Sequence, residues 1–304
     1  MRARSLYTFV AFVLTLATIV IAQTPSSQQP PSQGAQGGAS VTSPDFNSPR
    51  PIDIRESLWL EELTWMEVRD LMKSGKITTV IIPTGGVEQN GPYLAAGKHN
   101  YVLQATCPAI AKKLGNALCA PIVPFVPEGD IDPPTGMMNY PSTISLSEAT
   151  YKALLTDIAS SLKQHGFQRI ILIGDSGGNQ SGMKAVSTEL SAKWSGGKTT
   201  IHFIPEYYDY PGAYKWADQT FGWDEKIEGL HDDPTITTIM MTVNPDLVRI
   251  RERQAKGKAS INGINLVPVD KAVEAGRKIV EYRADVTVAA IRKVLAGSSS
   301  SQPE

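Results

Sequence analysis

Residues 80–101, VIIPTGGVEQNGPYLAAGKHNY, decide the expected fold. The β-branched run ITTVII at 77–82 predicts a buried strand, which stops at Pro83 and opens into a glycine-rich loop. That loop carries Glu88, Lys98 and His99. Ligands of open α/β sheets bind beyond the carboxyl ends of the strands, so this loop is the first candidate site. The alternative is a long solvated connection between a strand and a helix.

A second strand with the same design follows at 169–173, RIILI, and ends in the glycine-rich turn 174–179, GDSGGN. Two such turns on neighbouring parallel strands would face each other across one pocket. Further strands are predicted at 117–125 and 199–204, the first at a sheet edge because it contains Pro121 and Pro124. Helices are predicted at 61–73, 101–114, 147–166, 180–194, 234–241 and 271–293. This alternation indicates an α/β fold with a mostly parallel sheet covered by helices on both faces.

The N-terminus has the pattern of a targeting segment. Arg2 and Arg4 precede an apolar run at 6–21, and small residues at 20–22 offer a cleavage site before Gln23. We therefore predict a signal peptide at 1–22 and an exported, periplasmic or secreted protein without a membrane anchor after cleavage. An uncleaved anchor is the alternative, since the apolar run approaches the length of a membrane span.

Composition divides the rest of the chain. Residues 23–51 are rich in Pro, Ser, Gln and Gly and predict a disordered linker, and 297–304 predict a disordered tail. One α/β domain is expected at 52–296. The net charge of −1 gives no electrostatic reason to expect nucleic acid or an anionic membrane surface as a partner.

The two cysteines, Cys107 and Cys119, fall on a predicted helix and at the start of the next strand. An oxidising compartment would permit a disulfide between them, although two small buried residues are the favoured interpretation.

An aromatic segment at 207–223 is read as core or subunit interface in preference to the wall of a substrate pocket. It contains Tyr207, Tyr208, Tyr210, Tyr214, Trp216 and Trp223.

Four polar side chains stand where strands end or loops turn inward: Glu88, His99, Asp175 and His231. Carboxylates and imidazoles bind divalent metals, and a bound ion lowers the pKa of water towards neutrality. The alternative of a Ser176 nucleophile with His231 as base is less favoured. His165, at a helix end, and His202, in a strand, receive no role.

Four segments, in order, resemble the creatininase (creatinine amidohydrolase) family. Residues 83–94, PTGGVEQNGPYL, resemble the family loop Pro-x-Gly-x-x-Glu-Gln-His-Gly-Pro-His-Leu. Residues 140–146, YPSTISL, resemble its Phe-Pro-Gly-Thr-x-Ser-Leu segment, and 174–179 resemble Asn-Gly-His-Gly-Gly-Asn. Residues 231–238 resemble a His-Ala-Gly-x-x-Glu-Thr-Ser segment.

The resemblance implies a three-layer α/β/α fold, a hexamer or other homo-oligomer, and a two-metal site, usually of zinc or manganese, that hydrolyses a C–N bond. The family's ligand Glu is retained as Glu88 and the proton-donating His of some members as His231. Other family site positions are changed, to Asn90, His99, Ser176, Gly178 and Ile236. Because Asn and Ser are weak ligands for zinc, the two-metal site is not expected here.

Two functions are consistent with these changes. In the first, a metal-dependent hydrolase of a small amide or cyclic amide has a rebuilt, mononuclear site, with Glu88 and His231 catalytic and Glu88, His99 and Asp175 as ligands. Asp130, Asp132 and Asp233 are candidate extra ligands, and substrate binding is expected of Asn90, Ser176, Asn179, Tyr140 and Thr143. In the second, the fold is retained without catalysis, as an exported binding or scaffold protein.

Overall fold

A four-stranded parallel sheet of order β2-β1-β3-β4 lies at the centre of residues 45–299, the part of the chain that the computed structural model describes. Its strands are β1 (Thr79–Thr84), β2 (Ala117–Cys119), β3 (Arg169–Gly174) and β4 (Thr200–Phe203), and β5 (Ser260–Ile261) and β6 (Ile264–Asn265) form a small antiparallel pair. The helices are α1 (Trp65–Lys73), α2 (Lys98–Leu114), α3 (Glu148–Gln164), α4 (Gln180–Lys193), α5 (Tyr210–Phe221), α6 (Pro234–Val243), α7 (Ile250–Ala255) and α8 (Val269–Ser299). Short 3-10 helices occupy Leu60–Glu62, Gly136–Asn139, Gly177–Asn179, Pro205–Tyr208 and Pro245–Val248.

The alternation of side chains along β1 explains the three layers. Val80 and Ile82 point to a core shared with α1, α3 and α4, whereas Ile81 points to a core shared with α2 and α8. A third apolar cluster joins α6 to α2 and α8 on the outer side of that layer. The structure therefore confirms the α/β class and the three-layer α/β/α arrangement with a parallel sheet.

Local signals fix several element boundaries. Thr64 and Glu67 form a capping box at the start of α1, since each side chain bonds the other's backbone N–H. Ser147 caps α3, where its side chain accepts from the backbone N–H of Thr150. The helix after the β1 loop begins at Lys98, three residues earlier than predicted, and continues through Pro108.

The second strand is much shorter than predicted. β2 ends at Cys119, and it lies at the edge of the sheet as the prolines indicated. Beyond Cys119, Val123 pairs with β1 through an isolated parallel bridge to Thr84.

The cysteines differ from the favoured interpretation. Cys107 of α2 and Cys119 of β2 are both fully buried, but they form a disulfide and are not two unlinked residues. The bond joins a helix to the sheet edge that it covers.

The ends of the chain lie mostly outside the described residues. This applies to the predicted signal peptide 1–22, to the linker as far as residue 44 and to the tail from residue 300. A compact unit begins at Arg50, and the predicted domain 52–296 lies within it. Helix α8 extends to Ser299, so residues 297–299 are helical where a disordered tail was predicted. Among the described residues, no helix combines the length and apolar character needed to cross a bilayer.

Candidate metal centre and active-site cleft

The loops after β1 and β3 meet at the carboxyl edge of the sheet, because the two strands pair in parallel along their full length. His99, in the first turn of α2, lies between two carboxylates at this edge. Its Nε2 is 2.7 Å from Oε1 of Glu88, and its Nδ1 is 2.8 Å from Oδ2 of Asp175. The predicted meeting of the two turns across one site is confirmed.

A third carboxylate, Glu128, completes the cluster, and the sequence reasoning missed it. Glu88, His99 and Glu128 are buried, and each offers a ligand atom within 4.8 Å of the others. Ser176 Oγ donates to Oε2 of Glu128 over 3.0 Å, while Oε1 is buried without a hydrogen-bond partner among the described residues. Glu128 follows β2, whose carboxyl end lies at the same sheet edge, so the rule that located Glu88 also applied to it.

Asp175 has a different position from that predicted. It is fully buried behind His99, and its Oδ1 accepts a hydrogen bond of 2.9 Å from Nη2 of Arg283. The guanidinium of Arg283 stacks on Tyr207 and Tyr210, 4.5 and 4.7 Å from the ring centroids. Asp175 therefore orients the His99 ring, as carboxylates commonly do behind a metal-binding histidine.

The candidate extra ligands also lie elsewhere. Asp130 is exposed and bonds Thr135, Asp132 is exposed, and Asp233 caps α6 through the backbone N–H of Ile236. The converging donors are Glu88, His99 and Glu128, with Glu128 in the place that the prediction gave to Asp175.

Gly178 explains how Glu128 reaches the cluster. A Cβ at this position would overlap the carbonyl oxygen of Pro127 and would lie 3.7 Å from Oε2 of Glu128. The backbone at 127–128 therefore occupies the room that a side chain at 178 would need.

The neighbouring charges push the pKa values of the two carboxyls apart. Burial raises the pKa of Glu88, but the hydrogen bond from His99 and the charges of His99 and Lys98 outweigh it and lower the pKa to about 2. Burial and repulsion by Glu88 raise the pKa of Glu128 to about 7. For His99, burial and the Lys98 charge oppose protonation, yet the bonds to Asp175 and Glu88 prevail and raise its pKa. One carboxyl is thus ionised while the other retains a proton near neutral pH.

These residues fit a divalent cation. Two carboxylates and an imidazole are ligands of zinc and manganese, and Oε1 of Glu128, which has no partner within the described part of the chain, is an acceptor that such an ion would satisfy. A cation held by Glu88 and His99 would replace the proton that they share.

His231 stands at the edge of the same site. Its Nδ1 lies 2.8 Å from the carbonyl oxygen of Gln89, which can only accept, so Nδ1 carries a hydrogen and Nε2 faces Oε1 of Glu88 at 3.7 Å. The backbone of His231 is left-handed, with φ of 61°, a conformation that side chains with a Cβ rarely adopt. The next residue, Asp232, forms a buried ion pair of 3.1 Å with Arg253, which helps to hold this turn.

The cluster opens into a cleft of about 1000 Å³. Tyr208, Tyr210, Tyr214 and Trp223 line it, whereas Tyr207 lies in the core and Trp216 stacks on Tyr282 with centroids 4.7 Å apart. The aromatic segment therefore supplies both pocket wall and core, although core or interface was the favoured interpretation.

Of the predicted substrate-binding residues, Ser176 lies on the cleft and the others do not. Asn90 is buried and donates to the Glu88 carbonyl, and Asn179 is buried and donates to the carbonyls of Thr84 and Gly85. Thr143 accepts from the backbone N–H of Gln89, and Tyr140 is exposed. Asn90, Thr143 and Asn179 therefore brace the loops that carry the site.

The family model for creatininase, described as creatinine amidohydrolase, matches residues 61–289. The chain belongs to the creatininase family. The creatinine amidohydrolase of Pseudomonas putida is 25% identical to it over 226 residues, which span 71% of this chain and 84% of that relative.

Solved creatininase structures share the fold. A crystal structure of creatinine amidohydrolase (creatininase) is 24% identical, with a TM-score of 0.54 over 80% of this chain and 98% of that one. A structure named as a manganese creatininase is 24% identical, with a TM-score of 0.55, and a mutant creatininase of Zn-Zn type is 23% identical, with a TM-score of 0.53. Each of these two covers 80% of this chain and 99% of its own. Membership of this family, together with the buried triad, suggests metal-dependent amidohydrolase chemistry.

Proposed function

We propose that this creatininase-family protein hydrolyses a C–N bond of a small amide or cyclic amide at a single divalent ion, zinc or manganese. The observation that carries the proposal is the convergence of Glu88, His99 and Glu128 at the base of a cleft. A divalent ion held there supplies a Lewis acid and lowers the pKa of water.

The side chains of the protein would orient the ligands, transfer a proton and limit access of water. Asp175, fixed by Arg283, holds His99 in one orientation, so that Nε2 faces Glu88. His231 is held through Nδ1 and presents Nε2 to the cleft, where a proton on Nε2 would pass to the leaving nitrogen. The aromatic rings along the cleft provide apolar surface for a small molecule and limit access of water.

A mononuclear site follows from the exchange of donors. Four positions at which the family pattern has a stronger metal-binding side chain are changed here, to Asn90, Ser176, Gly178 and Ile236. The Asn90 side chain is also turned away from the cleft. His99 and Glu128, with the retained Glu88, provide one set of three donors among the described residues. Three protein ligands with a remaining open position are typical of catalytic zinc.

A binding protein without catalysis is the second candidate. The observation that favours it is the internal pairing of the site, in which His99 already bonds Glu88 and Asp175. A binding protein would keep its ligand affinity when metal is removed, whereas a metallohydrolase would lose its activity.

The test is amide hydrolysis by the purified protein before and after chelation, with zinc or manganese restored. Hydrolysis product should form from a panel of cyclic and linear amides only with metal, and His231→Gln should lower kcat by about 100-fold or more. His165→Gln is the matched control, because His165 is exposed at the end of α3. Hydrolysis that survives chelation, or that His231→Gln leaves unchanged, would refute the assignment.

Export and homo-oligomeric assembly remain proposals of the same account. Assembly is measured by light scattering of the purified protein, for which a hexamer or another homo-oligomer is expected and a monomer would refute the proposal. Export is measured by the location of the processed chain, expected to begin at Gln23; an unprocessed chain that stays in the cytoplasm would refute it.

A further inference from the structure

Lys98 is a buried cation inside the candidate site. It is the first residue of α2, only 4% exposed, and its Nζ lies 3.4 Å from Oε1 of Glu88. Lysine is almost never buried without a partner, so the Glu88 carboxylate accounts for its presence in this place. Lys98 also lines the cleft, so the other donors of its ammonium are open to a bound molecule.

The arrangement of charges around the cluster suggests a role for Lys98 beyond neutralising Glu88. Arg283 already balances Asp175, and Lys98 lies on the cleft side, next to the carboxylate that would bind the metal. A structure of a related mutant creatininase is named as a Zn-Zn type, whereas residues 45–299 of this chain offer one set of three donors. We infer that the Lys98 ammonium supplies the positive charge of a second metal ion and stabilises the oxyanion formed from the substrate carbonyl. This role rests on the proposed hydrolase function.

The step balances without a further reactant. As the water oxygen bonds to the carbonyl carbon, one water proton passes to Nε2 of His231, the π pair moves to the carbonyl oxygen, and the ammonium of Lys98 holds that oxyanion by a charge-assisted hydrogen bond. When C=O re-forms, the C–N bond breaks and its electron pair takes the proton carried by Nε2 of His231. The other water proton, left on the new carboxylic acid, passes to the amine, so the products are a carboxylate and an ammonium ion, and Lys98 remains an ammonium throughout.

A lysine that only balances the charge of Glu88 would behave differently from one that acts on the substrate. In both roles it repels a divalent ion bound by Glu88, so its removal strengthens metal binding. Only in the catalytic role does removal also slow the reaction when metal is saturating. The reaction rate at saturating metal therefore separates the two roles, and metal affinity shows whether Lys98 stands beside the ion.

The experiment compares wild type with Lys98→Met and Lys98→Arg, measuring Mn²⁺ affinity by calorimetry and amide hydrolysis at saturating Mn²⁺. Lys98→Met should bind Mn²⁺ about tenfold more tightly or better, because one positive charge is gone. Its kcat should fall by about 100-fold or more with a smaller change in KM, as expected for a lost oxyanion contact. Lys98→Arg should retain part of kcat, which shows that the charge matters and that the fold tolerates substitution. Lys112→Met, exposed on the same helix, is the control and should change neither quantity.

The outcomes distinguish this role from the proposed function. Wild type that binds no Mn²⁺ and hydrolyses no amide would overturn both. Wild type that binds and hydrolyses, with kcat unchanged in Lys98→Met, would overturn the role of Lys98 alone. Unchanged or weaker Mn²⁺ binding in Lys98→Met would equally overturn it, because the ammonium would then not stand beside the ion.

Discussion

Gly178 and Glu128 depend on each other, although they come from different loops. The chain at 127–128 passes where a Cβ of residue 178 would be, and this course brings the Glu128 carboxylate to Glu88 and His99. A missing side chain in one segment thus makes room for a ligand from another.

Gly178→Ala should weaken metal binding without altering a ligand. Its Cβ would overlap the carbonyl oxygen of Pro127, a backbone atom, so the loop must shift and move Glu128. We expect a loss of about tenfold or more in Mn²⁺ affinity, the size typical of disturbing a ligand's support. Gly177→Ala is the matched control, because its nearest neighbour is the hydroxyl at the end of Tyr208, at 3.1 Å. Equal affinities in the two variants would contradict the account.

The sequence predicted Glu88 and His99 but not Glu128, for a physical reason. The loop at 126–139 contains several acidic residues, and no local pattern shows which of these side chains turns inward. Asp130 and Asp132 were therefore predicted as extra metal ligands, and Glu128 was not. The direction is set by Ser145, which pairs with Val126 and accepts from the Glu128 N–H over 2.8 Å. Likewise, Arg283 lies 108 residues beyond Asp175, and no local pattern reveals that pair.

Among the secondary-structure elements, α8 both packs against the domain and supplies a side chain that supports the site. It packs closely on α6, where a Cβ at Gly276 would overlap the carbonyl oxygen of Thr238, and it carries Arg283 to the end of β3. The salt bridge with Asp175 is buried on both sides. This single contact links the closing helix to the orientation of His99.

Arg283→Met should destabilise the protein strongly. Removing one partner of a buried ion pair leaves the other charge uncompensated, at a cost of about 3–5 kcal/mol in the free energy of unfolding. Arg277→Met, exposed on the same helix, should change it by less than about 0.5 kcal/mol. Urea unfolding measures both. A loss below about 1 kcal/mol for Arg283→Met would show that Asp175 does not need its partner.

Elements with strong local signals were predicted best. Strands β1 and β3 were predicted from their β-branched runs, and helices α1 and α3 from the helical pattern of their sequences. Helix α5 was read only as an aromatic segment, because its start depends on Asp209, whose side chain accepts from the Gly212 N–H. The Cys107–Cys119 bond depends on how α2 lies against β2, which tertiary packing decides.

At the scale of the whole molecule, the buried site makes stability depend on pH. The raised pKa of Glu128 contributes stability that is complete below pH 4.5 and is lost as pH rises through about 7. The raised pKa of His99 adds a loss above pH 6.5. The lowered pKa of Glu88 acts in the opposite sense, contributing stability above pH 4.5 that is lost as pH falls towards 2.

Metal-free protein should therefore be most stable near pH 4.5–5, and its free energy of unfolding should fall by on the order of 3 kcal/mol by pH 8. Mn²⁺ should raise Tm more at pH 8 than at pH 5, because fewer protons compete for the ligands. Thermal unfolding across this range measures both effects. Glu128→Gln should flatten the change between pH 4.5 and 7, and an unaltered slope would contradict the assignment.

The central claim is that Glu88, His99 and Glu128 hold one divalent ion, and metal content per subunit tests it most directly. Protein purified without chelator and analysed by elemental mass spectrometry should contain about one equivalent of zinc or manganese. Glu128→Gln should lose that ion, whereas Asp130→Asn, an exposed carboxylate of the same loop, should keep it. Two equivalents in wild type, or full occupancy in Glu128→Gln, would contradict the account.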